Sequence, residues 1–214
     1  MLNSLDQSKL IFDLFGGDFH WKDLFRLSPK NYICGFCNYN VSSELGYSVD
    51  DLGGFGNTIQ YRGIYICPSC KGPTFFDLRN SQNPGPLIGS PVSNIPKDIE
   101  ALYTEARKSY SVGAYTGSTL LSRKMLMNLS VSFGAEEGKS FGYYVDFLLD
   151  DGHVPKNSKE WIHHIRLEGN DATHKIKLKT DKEAATLLKF IEMLLKINFE
   201  YPSHISSQSQ NKEN

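Results

Sequence analysis

The four cysteines of this chain form two pairs, each with two residues between its members. Cys34 and Cys37 make the first pair, Cys67 and Cys70 make the second, and residues 38–66 separate them. A two-residue gap lets both thiolates of a pair bind one metal ion, and two such pairs complete a tetrahedral sulfur site typical of structural zinc. Two disulfides or four ordinary buried thiols are the alternatives, although a disulfide within such a pair is strained. The spacing therefore predicts one structural Zn²⁺ per chain.

A second set of reactive side chains falls on one predicted helix, residues 161–176. At about 100° per residue, one side of this helix carries a polar stripe made of His163, Arg166, Asn170 and His174. The apolar residues Trp161, Ile162, Ile165, Ala172 and Ile176 fall on a different side, which predicts contact with a core. Arginine stabilises charge on phosphate, and a neutral imidazole moves a proton near neutral pH. Arg166, Asn170 and His174 are therefore candidate catalytic residues for phosphodiester chemistry.

The residues that follow the stripe are basic. Lys175, Lys177 and Lys179 form a local patch that is predicted to bind a nucleic-acid backbone. The alternative is a purely structural role for the stripe. Polar residues on an amphipathic helix usually form a solvated face, and a buried Asn–His pair can link two helices. A break of the helix at Gly169 would scatter the stripe.

Composition limits the classes of function. The chain has 214 residues and a formal net charge of −1, with 22% charged and 40% hydrophobic residues, as in folded proteins. Because no global field draws it to nucleic acid, any such binding has to come from a local patch. No apolar run approaches the length of about 20 residues that spans a bilayer. The first residues lack the pattern of a secretion signal, so we expect a cytoplasmic protein with no membrane partner.

The elements that position these residues fall into two predicted domains. Residues 1–93 comprise an N-terminal segment and a β zinc ribbon, residues 94–202 a helical bundle, and residues 203–214 a disordered tail. Pro and Gly residues between Ser81 and Pro91 indicate a linker. The predicted fold class is α+β, with the small β zinc ribbon followed by an all-α bundle.

Five helices are predicted in the second domain. The first runs from about residue 96 to 110, the second from 113 to 133, the third from 139 to 149, and the fourth begins at 158. The small residues Gly113, Ala114, Gly117 and Ser118 would permit close backbone approach of a neighbour at the start of the second helix. Thr180 and Glu183 form a capping box that begins the fifth.

Several segments together resemble the family catalogued as domain of unknown function 4145. They are Cys34-x-x-Cys37, the stretch from Ile64 to Phe75, the stretches 95–107 and 194–202, and above all the pattern RxxGNxAxH from Arg166 to His174. The resemblance covers about residues 30 to 202. The family is considered a relative of the HEPN helical domains of prokaryotic toxins, antiviral defence systems and RNA processing.

The resemblance implies a HEPN-like bundle, a homodimer and RNA as a partner. In active HEPN domains, which are metal-independent endoribonucleases, Arg and His of paired subunits face one cleft. For this chain, the resemblance implies that His174 is a general acid or base, that Arg166 stabilises the phosphate, and that Asn170 holds the imidazole or the substrate. The spacing from Arg166 to His174 is longer than in active HEPN domains, and Gly169 stands where an arginine commonly precedes the asparagine. The other hypothesis is therefore a non-catalytic dimerisation module whose zinc ribbon binds a protein partner.

Overall fold

The computed structural model describes residues 20–48, 63–170 and 178–204, and it divides the chain into two compact units. The first unit is Met1–Leu87 and the second is Ile88–Asn214. The first contains an antiparallel sheet and the second contains helices, so the predicted α+β class is confirmed. None of the helices within the described ranges is long and apolar enough to cross a membrane.

The described part of the first unit is a five-stranded antiparallel sheet with strands in sequence order. The strands are β1 Phe25–Ile33, β2 Asn40–Ser48, β3 Gly63–Ile66, β4 Pro73–Phe76 and β5 Gln82–Asn83. A register shift between Arg26 and Lys30 marks a bulge in β1. One face holds a small core, in which the rings of Tyr32 and Tyr65 pack edge-on against Phe76 at 5.2 and 5.6 Å.

The predicted linker is part of both units. Gln82 and Asn83 pair with β4, and the carbonyl oxygens of Ile88 and Gly89 accept hydrogen bonds from Arg107 within the second unit. The boundary between the two units, after Leu87, falls inside the predicted linker, and the residues on either side of it are hydrogen-bonded within their own unit.

The described part of the second unit contains five α-helices, as the sequence predicts. They are α1 Lys97–Ser111, α2 Tyr115–Ser132, α3 Phe141–Asp150, α4 Lys159–Asn170 and α5 Asp181–Leu195. A 3₁₀ turn at Lys156–Ser158 leads into α4, and a π-helical turn at Lys196–Glu200 follows α5. The backbone is helical through His204, and the remainder of the tail predicted from 203 to 214 lies outside the described residues.

The helices bury one continuous core. Its fully buried large side chains come mainly from α2 and α5, among them Met125, Leu129, Phe190, Ile191 and Leu194. At the start of α2 a neighbour does approach closely: Ser118 is fully buried, and Thr116 Oγ1 accepts a hydrogen bond from the Lys179 backbone N–H at 2.9 Å. The two glycines are not the point of contact, because a Cβ at Gly113 or Gly117 would meet no described atom within 4 Å.

The capping box at the start of α5 is confirmed. Thr180 Oγ1 accepts a hydrogen bond from the Glu183 backbone N–H at 3.3 Å, and the Thr180 backbone N–H donates to Glu183 Oε2 at 2.7 Å. Burial opposes ionisation of Glu183, but the Thr180 N–H and the Lys179 ammonium lower its pKa to about 2. The pKa of Glu183 in the folded chain is below the ordinary value of 4.5. The ionised carboxylate therefore stabilises the fold fully above pH 4.5, and this contribution is lost as the pH falls towards 2.

Replacing the capping threonine tests this local device. Thr180→Ala removes the acceptor for the Glu183 N–H, so we expect the free energy of unfolding to fall by about 1 kcal/mol. Urea denaturation followed by far-UV circular dichroism at neutral pH measures the loss. Thr180→Ser keeps the acceptor and should behave like the natural chain; equal losses in both variants would contradict the capping role.

Candidate metal centre and the stripe of helix α4

Both cysteine pairs lie in turns with the same backbone pattern. In the first turn, Cys34 N–H donates to the Tyr39 carbonyl at 2.9 Å, and in the second, Cys67 N–H donates to the Gly72 carbonyl at 3.0 Å. The residue after each pair has a left-handed backbone, with φ of 59° at Asn38 and 62° at Lys71. Such turns aim both sulfurs of a pair to one side, so each turn is half of a metal site.

The sheet brings the two turns together. All four Sγ atoms lie within 4.8 Å of one another. The Sγ atoms of Cys34 and Cys70 are 3.7 Å apart, and those of Cys37 and Cys67 are 3.8 Å apart. Four sulfurs arranged tetrahedrally at the usual Zn–S distance of about 2.3 Å would be about 3.8 Å apart. A disulfide needs about 2.05 Å, so the cluster has the dimensions of a metal site and contains no disulfide.

The sulfur cluster is buried, which has an electrostatic consequence. Cys34 and Cys67 are fully buried, Cys70 is 3% exposed and Cys37 is partly exposed. Interaction with Cys34 lowers the pKa of Cys37 and of Cys67 and raises the pKa of Cys70. This divergence arises because neighbouring sulfurs in a buried cluster cannot all be negative unless a cation balances them. A bound divalent cation would hold all four as thiolates, and four protein ligands leave no position open for catalysis.

Gly72 lets the two turns pack this closely, and Gly35 lets the segment with Gly85 approach the first turn; neither glycine was predicted from the sequence. A Cβ on Gly72 would lie 2.6 Å from the Phe36 ring and 3.3 Å from Cys70 Sγ. A Cβ on Gly35 would lie 2.5 Å from the Gly85 carbonyl oxygen. A glycine inside or just after a cysteine pair is the sequence signal that could have identified these positions.

Helix α4 presents its predicted apolar side to the core. Ile162 and Ile165 are buried, and the partly buried Trp161 ring packs edge-on against Phe190 at 5.4 Å. His163 is exposed, on the other side of the helix. The amphipathic character that the sequence predicts is therefore confirmed for this part of the helix.

Arg166 forms an ion pair with a residue that the sequence argument did not single out. Its Nη1 lies 3.0 Å from Oδ2 and 3.4 Å from Oδ1 of Asp146 on α3. The side chains are 42% and 44% exposed, so this pair contributes little to stability. Gly142 lies under the aliphatic part of Arg166, where an added Cβ would be 3.5 Å from Cγ and Cδ. The guanidinium is thus held at the surface beside a carboxylate.

The other candidate residues are described only in part. Helix α4 is described from Lys159 to Asn170 and includes Gly169, and its predicted continuation to residue 176 lies outside the described residues. His174, Lys175 and Lys177 lie outside the described residues, as does the side chain of Asn170.

Lys179 is the one described member of the predicted basic patch. Its side chain is 6% exposed, and Nζ lies 3.0 Å from Oε1 of Glu183. A phosphate that binds this ammonium has to compete with the Glu183 carboxylate. The i,i+4 spacing of the two residues was a signal for this pair.

Comparison with known proteins identifies one family. The model of the family described as "Domain of unknown function (DUF4145)" matches residues 104–212, which run from within α1 to near the end of the chain. No curated protein and no solved structure matches the chain. The match spans most of the helical unit and half of the whole sequence, so this chain belongs to the DUF4145 family.

Proposed function

We propose that this is a zinc-binding, RNA-directed protein. The observation that carries the zinc part is the four-sulfur cluster with sulfur separations of 3.7 and 3.8 Å. Soft thiolates in a tetrahedral set favour zinc among the common cellular metals. Cys34, Cys37, Cys67 and Cys70 would hold one Zn²⁺, which would stabilise the fold of the ribbon and take no part in a reaction.

The RNA part of the proposal rests on the α4 stripe. His163 and Arg166 lie on the side of α4 away from the buried Ile162 and Ile165, and a guanidinium at a surface can bind a phosphate. Asp146 holds the side chain of Arg166 in place. RNA bound there would reach Asn170 and the segment that contains His174, Lys175 and Lys177.

Cleavage extends this proposal along the line of the HEPN resemblance. His174 would take the proton of a ribose 2′-hydroxyl, whose oxygen forms a bond to the adjacent phosphorus while the bond from phosphorus to the 5′-oxygen breaks. The products are a 2′,3′-cyclic phosphate and a 5′-hydroxyl, and the leaving 5′-oxygen takes its proton from water. Arg166 would stabilise the negative charge of the pentavalent phosphate, and Asn170 would orient the imidazole or the substrate. The reaction needs no metal. We assign the protein, as a homodimer, to prokaryotic defence in the cytoplasm on the same resemblance.

Charge variants at the ion pair provide the test. Asp146→Asn removes a carboxylate that repels phosphate, so we expect it to strengthen binding of a single-stranded RNA oligonucleotide severalfold, whereas Arg166→Ala should weaken it about tenfold. His174→Ala should reduce cleavage at least about a hundredfold. Binding is measured by fluorescence anisotropy at low salt, and cleavage on a gel without added divalent cations.

The controls separate function from folding. Neither change at the Arg166–Asp146 pair should alter the free energy of unfolding by more than about 1 kcal/mol, because the pair is half exposed. Asp150→Asn, at an exposed position on the same helix as Asp146, should change RNA binding less than Asp146→Asn. Equal RNA binding by all these variants would exclude the stripe as the RNA site.

The second candidate is a non-catalytic dimerisation and protein-interaction module. The pairing of Arg166 with Asp146 and of Lys179 with Glu183 favours it, because both cations already have carboxylate partners. In that case His174→Ala would lower stability or weaken self-association, and no RNA would be cleaved. Analytical ultracentrifugation of the natural chain and of this variant separates the two functions.

A further inference from the structure

The first unit contains a cleft beside the metal centre, and the metal ligand Cys67 is part of its lining. Its volume is about 510 Å³, and it lies beside the second cysteine turn. Most of its wall is apolar, and the side chains that form this wall are Trp21, Leu24, Pro29, Leu45, Ile66 and Pro68. Leu45 is 47% exposed. An open, mostly apolar concavity of this size is a common form of binding site.

Several contacts hold the wall of the cleft in place. Trp21 Nε1–H donates to the Lys71 carbonyl at 2.8 Å, which ties the indole to the cysteine turn. The Trp21 ring also packs edge-on against Tyr47 on β2, at 6.3 Å between centroids, and the Tyr47 hydroxyl donates to the Lys22 carbonyl. The cleft is therefore formed before any ligand binds, which lowers the entropy cost of binding.

The lining of the cleft contains one ammonium, Lys71, and one carboxylate, Glu44. His20 also lines the cleft, and Lys71 Nζ bonds to the Pro68 carbonyl at 2.8 Å without an ion pair to any described residue. Glu44 is the one carboxylate in the lining, and Arg26 already pairs with it at 3.1 Å. A ligand that places carboxylates at this rim would complement the charge.

The polar groups of the cleft are largely satisfied within the protein. The Ser43 hydroxyl donates to the Ile66 carbonyl at 2.7 Å, and the indole N–H of Trp21 is bound as described. A nucleobase needs hydrogen bonds along its edge for recognition, whereas an apolar side chain needs only the wall. The lining therefore favours a peptide over a nucleotide.

The geometry points to a docking site for a peptide segment of a partner protein, in which an apolar side chain fills the cleft and an acidic neighbour contacts Lys71. This interaction is independent of the proposed RNA site, which lies on a helix of the other unit. The partner is defined by that chemistry: an exposed apolar residue flanked by carboxylates.

A peptide titration with a matched pair of variants tests this site. The probe is a short fluorescein-labelled peptide with a Leu-Phe pair flanked on both sides by acidic residues, added to the full chain with excess Zn²⁺. Leu45→Glu puts a carboxylate in the wall, so we expect about tenfold weaker binding by anisotropy. Leu78→Glu is the control, because Leu78 is 71% exposed in the same unit and does not line the cleft; its affinity should stay unchanged.

Two further ligands, a basic peptide and an oligonucleotide, complete the test of the cleft. A peptide with lysines in place of the acidic residues should bind about tenfold more weakly. The proposal is overturned if the acidic peptide does not bind, if both peptides bind equally, or if Leu78→Glu loses as much affinity as Leu45→Glu. It is also overturned if an oligouridylate binds the natural chain and loses affinity in Leu45→Glu, while the peptide does not bind. Failure here leaves the result of the RNA test with the Arg166 variants unaffected.

Discussion

Cys34→Ser is expected to abolish stoichiometric metal binding and to unfold the β unit. Serine offers a hard, protonated oxygen in place of a thiolate, so the site keeps three sulfur ligands and loses most of its affinity. Metal binding to such sites contributes about 10 kcal/mol to folding. The small core of this unit cannot replace that contribution, because three of its six buried members, Cys34, Cys67 and Cys70, are themselves metal ligands.

The measurement is the metal content of purified protein by elemental analysis, combined with amide hydrogen exchange resolved by segment. The natural chain should contain about one zinc per chain, and Cys34→Ser should lose both the metal and the protection of β1–β4. The helices should keep their protection, because they have a separate and larger core. Ser69→Ala, a small change within the second cysteine turn, should retain full metal content. A natural chain without metal, or a Cys34→Ser variant with a full complement, would refute the site.

The parts of the fold that the sequence predicts are those with local causes. The spacing of the cysteine pairs follows from the reach of two thiolates to one ion. The start of α5 follows from the hydrogen bonds between Thr180 and Glu183, which are three residues apart. In both cases the partners are close in the chain, so neither prediction required knowledge of the tertiary structure.

The details that could not be predicted from the sequence have non-local causes. The segment with Ile88 and Gly89 has the composition of a linker, and its order depends on Arg107, which lies a long way along the chain. At the start of α2 the small residues predict that a neighbour approaches, but they could not identify the segment with Lys179 as that neighbour. Composition indicates which segments have a flexible backbone, whereas tertiary contacts decide whether such a segment is ordered in the fold.

The polar stripe of α4 also has features with local causes, which could be predicted, and features with non-local causes, which could not. Helical periodicity correctly predicts that Ile162 and Ile165 face the core. The partner of Arg166 could not be predicted, because Asp146 is on another helix and the register of α3 against α4 is set by packing. The amino-acid types of the stripe therefore indicate its chemistry, and the ionic partners of its members come from the fold.

A large effect on the helical unit is expected from Arg107→Met. Arg107 is 5% exposed; its Nε donates to the Ile88 carbonyl and its Nη2 to the Gly89 carbonyl, each at 2.7 Å. Burial lowers the pKa of its guanidinium, so the buried charge depends on these acceptors. Methionine fills a similar volume but donates no hydrogen bond, which leaves the carbonyls unpaired. Since each charge-assisted bond contributes about 1.5–3 kcal/mol, we expect a loss of about 3 kcal/mol in the free energy of unfolding.

The loss should be this large because the surrounding contacts leave the segment little room to adjust. The Ser90 backbone N–H donates to Glu192 Oε1 at 3.1 Å, and the Tyr103 hydroxyl donates to the Ser90 carbonyl at 3.2 Å. A Cβ at Gly89 would lie 2.7 Å from both Glu192 Oε2 and Tyr103 Oη. Residues of α1 and α5 thus hold this segment from two helices, and freed carbonyls cannot easily turn towards water.

Urea denaturation followed by far-UV circular dichroism, which reports mainly the helices, measures the effect of Arg107→Met. The matched control is Lys108→Met, since Lys108 is the next residue and is exposed; it should change the free energy of unfolding by less than about 0.5 kcal/mol. Arg107→Lys keeps the charge but cannot span both carbonyls with a rigid fork, so its loss should fall between the two. If Arg107→Met were no worse than Lys108→Met, the segment would be held without the guanidinium. If Arg107→Lys matched the natural chain, charge alone rather than the paired hydrogen bonds would account for the stabilisation.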